Sequence, residues 1–187
     1  RSRTDSGIPV LNYVDRTLPR GVDRSLGRTA EIVDFFAKRF GDYPFESAGG
    51  IADNHVSYYA LENQTRPTYD KKTVAWRGLT GTVAHEIAHQ WYGASVALER
   101  WRDIWLNEGF ATYGEWLWKE HVGGATVEQS FDRSRTHLDS VTSEASTCSA
   151  VSSRCSRRCN RPTCLVAGPS SRPAVAASVD EVVTRAT

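Results

Sequence analysis

The stretch VAHEIAHQWYG, residues 83–93, limits what this chain can fold into more than any other part of it. Histidines four residues apart stand one turn apart on one face of a helix, so His85 and His89 can aim both imidazoles at a single point. Glu86 lies about 100° round the helix from His85, which places it for a water held at that point rather than for the point itself. Two readings fit the stretch alone. The histidines are packed, hydrogen-bonded side chains of a buried helix, or they are half of a metal site.

A catalytic zinc site needs three protein ligands and one open position, and two histidines with one glutamate is a known hydrolytic set. Glu108 offers the third ligand. It follows His89 after 18 residues, inside WRDIWLNEGFATYGEWLWKEHVGG, which predicts a second helix over 103–121 closed by Gly123 and Gly124. The gap suits a helix end, a loop and re-entry on a second helix. A glutamate flanked by Trp105, Leu106, Phe110 and Trp116 is an unusual place for a plain solvated charge. Glu115 stands two turns beyond Glu108 on the same face. It is either a hydrogen-bond acceptor for a ligand histidine or an ordinary surface glutamate. His55, His121 and His137 lack such context and read as surface or capping residues.

Upstream, the pattern is mixed. IPVLNYV reads as a loop or short strand. From Asp23 an imperfect apolar stripe of Leu26, Ile32, Phe35, Phe36 and Phe40 predicts a helix stopped at Gly41. GGIAD, VSYYALENQT and TVAW are strand-compatible. The result is an α+β fold: a short sheet followed by two metal-ligand helices.

These residues carry a family resemblance. VAHEIAHQWYG, the 18-residue gap and WRDIWLNEGFATYGEW resemble the zinc aminopeptidases of the aminopeptidase N family, which are gluzincins with a thermolysin-like catalytic domain. That family has a Gly-Ala-Met-Glu-Asn segment about two dozen residues before the first histidine. Here Ala60-Leu61-Glu62-Asn63 stands there, with Tyr59 in place of the glycine and Leu61 in place of the methionine. The resemblance covers roughly residues 5–135. It implies an incomplete thermolysin-like zincin lobe, one Zn2+ held by His85, His89 and Glu108, and Glu86 as general base. It also implies that Glu62, with Ala60 and Asn63 beside it, receives the free α-ammonium of a peptide substrate. From the residues alone, Glu62 reads first as a surface glutamate on a loop.

The resemblance also has gaps. The family stabilises its oxyanion with a tyrosine some 60–65 residues past the third ligand, which falls at GPSSRP, residues 168–173, and no tyrosine follows Tyr113. The family's β-rich domain before the catalytic domain and helical domain after it have no counterpart in these residues. Function therefore reads as a zinc metalloaminopeptidase. The alternatives are a thermolysin-like endopeptidase and a catalytically incomplete zinc-binding fragment.

Composition divides the chain at about residue 140. All aromatic residues lie between Tyr13 and Phe131, whereas all four cysteines lie beyond, at Cys148, Cys155, Cys159 and Cys164. We expect a catalytic lobe over 1–140 and a poorly ordered Ser/Arg/Cys-rich tail over 141–187, with the bias of a GC-rich gene read out of frame. The cysteine spacings lack the paired C-x2-C knuckles of common zinc modules. With a net charge of +1, and no aromatics among the tail arginines, no nucleic-acid partner is indicated. No apolar run reaches the ~18–20 residues of a membrane span. The chain starts at Arg1 and contains no methionine, so it reads as an internal piece of a longer product. The ALENQTRP variant resembles exported members of the family, giving a secreted or cell-surface parent as the expectation and a cytoplasmic one as the alternative. Oligomeric state cannot be read from these residues.

Overall fold

The computed structural model describes residues 2–19, 21–56, 59–75 and 79–152. Cys155, Cys159, Cys164, the stretch 168–173 and the rest of the tail beyond Ser152 lie outside the described residues. The chain falls into two compact units, Arg1–Thr126 and Val127–Thr187.

The first unit is built on a five-stranded sheet. Its strands are β1 (Ser2–Arg3), β2 (Pro9–Val14), β3 (Ala48–Ala52), β4 (Ala60–Leu61) and β5 (Thr68–Tyr69), in the order β1-β2-β3-β5-β4. The centre is parallel, with Val10 opposite Ala48 and Val14 opposite Ala52, and both edge strands run antiparallel. Residues two apart share a face. Val10 is buried on one side, while Tyr13, Ile51 and Leu61 stand exposed on the other. Pro9–Val14 of IPVLNYV is thus a strand, and only Ala60–Leu61 of VSYYALENQT pairs among the described residues.

Between β2 and β3 the stripe beginning near Asp23 forms two helices rather than one. These are α1 (Val22–Gly27) and α2 (Thr29–Phe40), which break at Arg28. Gly27 weakens the helix there, and Thr29 turns its hydroxyl back onto the Leu26 carbonyl, 2.7 Å away. Gly41, at φ 92°, ends α2 as expected.

After β5 comes α3 (Lys71–Ala75), where a strand was expected. The buried Asp70 accepts from the Thr73 backbone N–H at 2.7 Å, an N-cap that overrides the β-branched run. Helix α4 (Leu79–Ala88) carries the histidine motif. It passes at His89 into tight turns, with Gln90 and Trp91 bonding three residues back. A 3-10 turn, Trp101–Asp103, leads into α5 (Trp105–His121), close to the predicted span.

The core lies between sheet and helices. Ile32, Val33 and Phe36 of α2, Val83, Ala84, Ile87 and Ala88 of α4, and Ala111 and Trp118 of α5 are all 2% exposed or less. Each large apolar side chain buried this way contributes about 1.5–3 kcal/mol. Trp91 seals one end, edge-on to Phe36, Phe40 and Tyr43, with its indole N–H donating to the carbonyls of Gly41 and Asp42.

In the second unit α6 runs Val127–Ser152 and so takes in residues 141–152 of the Ser/Arg/Cys-rich stretch. No glycine or proline falls between Gly124 and Pro162 to interrupt it. No described helix is long and apolar enough to cross a membrane.

Candidate metal centre

Helix α5 packs along α4, and the two meet closely because of Gly114. A Cβ there would stand 2.9 Å from the Ala88 Cβ and 3.3 Å from Phe36. This approach brings Glu108, in the first turn of α5, up to the histidines of α4. One carboxylate oxygen of Glu108 lies 3.4 Å from His85 Nε2 and 3.8 Å from His89 Nε2. The two Nε2 atoms are 3.2 Å apart, and one ligand atom from each of the three residues falls within 4.8 Å of the others.

The donor chemistry fits zinc. Ligands at about 2.0–2.1 Å in a tetrahedron stand roughly 3.3–3.4 Å from one another, and the three separations here bracket that value. His89 Nδ1 is 3.1 Å from the Tyr92 carbonyl, which can only accept, so Nδ1 carries the proton and Nε2 keeps its lone pair for the cluster. Gly93, at φ 134°, turns the chain back against this ring. A Cβ there would lie 3.5 Å from His89 Nδ1 and 3.2 Å from the Asn107 amide nitrogen. Glu115 Oε2 is 3.8 Å from His85 Nδ1, on the ring's far side, longer than a direct hydrogen bond.

Glu86 is 6% exposed, on the motif helix between the two histidines. Burial pushes its carboxyl up to about 7, against the pull of His85, and the carboxylates of Glu62, Glu108 and Glu115 push the same way. Burial disfavours the His85 cation, but Glu108 and the other carboxylates more than offset this and hold its pKa above the usual value. Burial and the neighbouring His85 lower that of His89. The hydrogen bond to His85 keeps Glu108 below the usual carboxylate range. Glu108 is half exposed while His89 is buried, so the cluster opens to solvent on the α5 side.

Glu62 directly follows β4 and is exposed. It is near enough to bias both Glu86 and His89, and it lines a cleft of about 500 Å3 with Gln64, Gly93, Leu98, Trp101 and Asn107. Ala60 pairs with Tyr69 in the sheet, and Asn63 donates from its amide to the Thr68 hydroxyl at 2.9 Å. The structure thus brings His85, Glu86, His89, Glu108 and Glu115 together, with Glu62 at the rim. His55 pairs instead with Asp53, and the His121 ring packs at a tilt against Phe35. Three contributors escaped the sequence reading: Gln90, Gly93 and Gly114. Gln90 and Gly114 meet partners remote in the chain, and Gly93 meets Asn107 as well as the nearby His89 ring.

The model of the peptidase family M1 domain matches residues 24–162. The chain belongs to peptidase family M1. Aminopeptidase N of the dog, Canis lupus familiaris, is 34% identical over 120 residues, covering 56% of this chain and 12% of that protein. Human endoplasmic reticulum aminopeptidase 2 is 35% identical over 142 residues, covering 69% of this chain and 14% of that protein. The M1 zinc metallopeptidase of Deinococcus radiodurans shares the fold with a TM-score of 0.58 and 34% identity, over 67% of this chain and 28% of that one. A mutant of that enzyme was solved with a Tyr-Ser-Ala substrate (TM-score 0.52). This M1 chain therefore spans about an eighth of the length of the curated relatives it matches. Zinc is the cofactor that accords with the family and with the donor set of His85, His89 and Glu108.

Proposed function

We propose that this chain is the catalytic metal-binding part of a zinc aminopeptidase, which hydrolyses the N-terminal residue from peptides. The observation that carries the reading is the convergence of His85, His89 and Glu108 with a buried carboxylate, Glu86, on the same helix. Zinc, when bound, supplies Lewis acidity toward the scissile carbonyl and acidifies water. Glu86 is the base that takes a proton from the attacking water and passes it to the leaving amine. Its burial on a packed helix keeps the carboxylate from swinging away. Glu115 stands 3.8 Å behind His85 Nδ1, on the side from which a carboxylate would accept from that ring once drawn into hydrogen-bond range and so orient it. Glu62, at the rim of the cleft with Ala60 and Asn63 beside it, pairs with the substrate's terminal ammonium, which makes the activity that of an exopeptidase. The endoplasmic reticulum named in several relatives supports a parent on the secretory route.

The test is a Glu86→Gln variant assayed on an aminoacyl fluorogenic amide, with zinc counted by plasma mass spectrometry. Zinc content is expected to stay at one per chain while turnover falls by about 10²–10⁴-fold. A variant that turns over like the parent removes Glu86 from the chemistry. Zinc binding with no turnover in the unaltered chain favours the reading of an incomplete zinc-binding fragment.

A further inference from the structure

We infer that Gln90 is a positioning residue: it clamps the loop bearing Glu62 against the metal-binding helix and so sets where a substrate's terminal ammonium is received. The inference rests on the amine-anchoring reading of Glu62.

Gln90 immediately follows the ligand His89 and is 1% exposed. A buried primary amide has two donors and an acceptor to satisfy. Here they divide between two parts of the molecule. Oε1 accepts from the Thr65 backbone N–H at 2.7 Å. Nε2 lies 3.4 Å from the Asn63 carbonyl and 3.4 Å from the Glu86 carbonyl one turn back in α4. One side chain thus joins the backbone beside the base, Glu86, to both flanks of the loop that follows Glu62.

The loop needs such a tie. Thr65 has φ 62°, the left-handed region, and among the described residues it is the one non-glycine there. A β-branched residue adopts that conformation only when its surroundings hold it. The bond from Thr65 N–H to Gln90 is the shortest the loop makes to the α4 segment. Arg66 braces the turn from the other side, bonding the Thr65 carbonyl at 2.9 Å and the Ser47 hydroxyl at 3.3 Å. Glu62, one residue before Asn63, is exposed and has no burial of its own to fix it. Its distance from the metal ligands is therefore inherited from the backbone that Gln90 holds. A methionine would fill the same volume with neither donor nor acceptor. A glutamate would keep the acceptor for Thr65.

The experiment uses the full zinc-loaded chain and its Gln90→Met, Gln90→Glu and Glu62→Gln variants. Amide hydrogen exchange is followed at Thr65, with Ala111 and Trp118 as reporters of global folding. Affinity is measured for L-leucine amide and for N-acetyl-L-leucine amide. In Gln90→Met, Thr65 should exchange about tenfold faster with Ala111 and Trp118 unchanged, the effect of one lost hydrogen bond. Leucine amide should bind about tenfold more weakly, the acetylated amide unchanged, and Gln90→Glu should retain the Thr65 protection. Unchanged Thr65 exchange in Gln90→Met overturns the clamp. If Gln90→Met loses protection at all three reporters, Gln90→Glu decides by whether Thr65 alone keeps or loses it. Faster exchange with unaltered leucine amide affinity, while Glu62→Gln still weakens it, overturns the positioning role and leaves Glu62 as the anchor. No effect in Glu62→Gln removes the anchor, and the inference falls with it.

Discussion

His85 shows its neighbours a different edge on each side. Its Nε2 lies among the other ligand atoms, and its Nδ1 looks toward Glu115 at 3.8 Å. A carboxylate behind a ligand imidazole fixes which nitrogen carries the proton, and losing such a partner costs about 10–100-fold in metal affinity. Glu115→Gln is therefore expected to weaken zinc binding by about tenfold, and Glu108→Ala by far more, in a competition titration with a chromophoric chelator. Equal zinc affinity in Glu115→Gln and the parent chain would return Glu115 to the status of a surface side chain. At this scale much was legible. The i, i+4 spacing of His85 and His89 and the downstream Glu108 read directly, because helical periodicity converts sequence distance into direction. Gln90 and Gly93 did not read, because what defines them, Thr65 and Asn63 for one and Asn107 for the other, comes from other parts of the chain.

Between the elements, the decisive contact is α4 against α5 at Gly114. The Cβ of an alanine there would meet the Ala88 Cβ at 2.9 Å, and neither atom sits on a flexible arm that can yield. The helices would have to part, at a cost of about 1–3 kcal/mol. Because His85 and His89 ride on one helix and Glu108 on the other, the same displacement spoils the ligand distances. Gly114→Ala should thus lower the melting temperature and the zinc affinity together, by calorimetry and chelator competition on one preparation. A variant that lost stability yet kept full zinc affinity would show that the ligand set does not depend on this spacing. The span of α5 is legible in the sequence, whereas the role of Gly114 within it is not. A glycine inside a helix pattern signals only reduced propensity until its opposite number is known. The α3 segment failed in the other direction. TVAW has the composition of a strand, and the Asp70 cap made Thr73–Ala75 part of a helix, with Trp76 outside the described residues.

At the scale of the whole first unit, a metal held by His85, His89 and Glu108 from two helices would contribute to folding, since the unfolded chain offers no preformed site. At a thousandfold excess over its dissociation constant, zinc adds about 4 kcal/mol, worth roughly 10 °C in melting temperature for a chain of this size. Chelated protein should melt lower by that order and recover on adding zinc, but not magnesium, by differential scanning fluorimetry. A melting temperature indifferent to zinc would undo the ligand assignment of His85, His89 and Glu108. The motif residues, the α+β class, the ligand helices and the family resemblance could all be read from the chain, because each depends on spacing within one segment or a pair of segments. The division of one stripe into α1 and α2, the choice of helix for α3, the close pass of α4 over α5, and the tie from Gln90 to the Glu62 loop could not. The first two are settled by side-chain contacts three residues apart that outweigh propensity, and the last two by atoms that meet across long stretches of sequence, where packing and hydrogen-bond satisfaction decide.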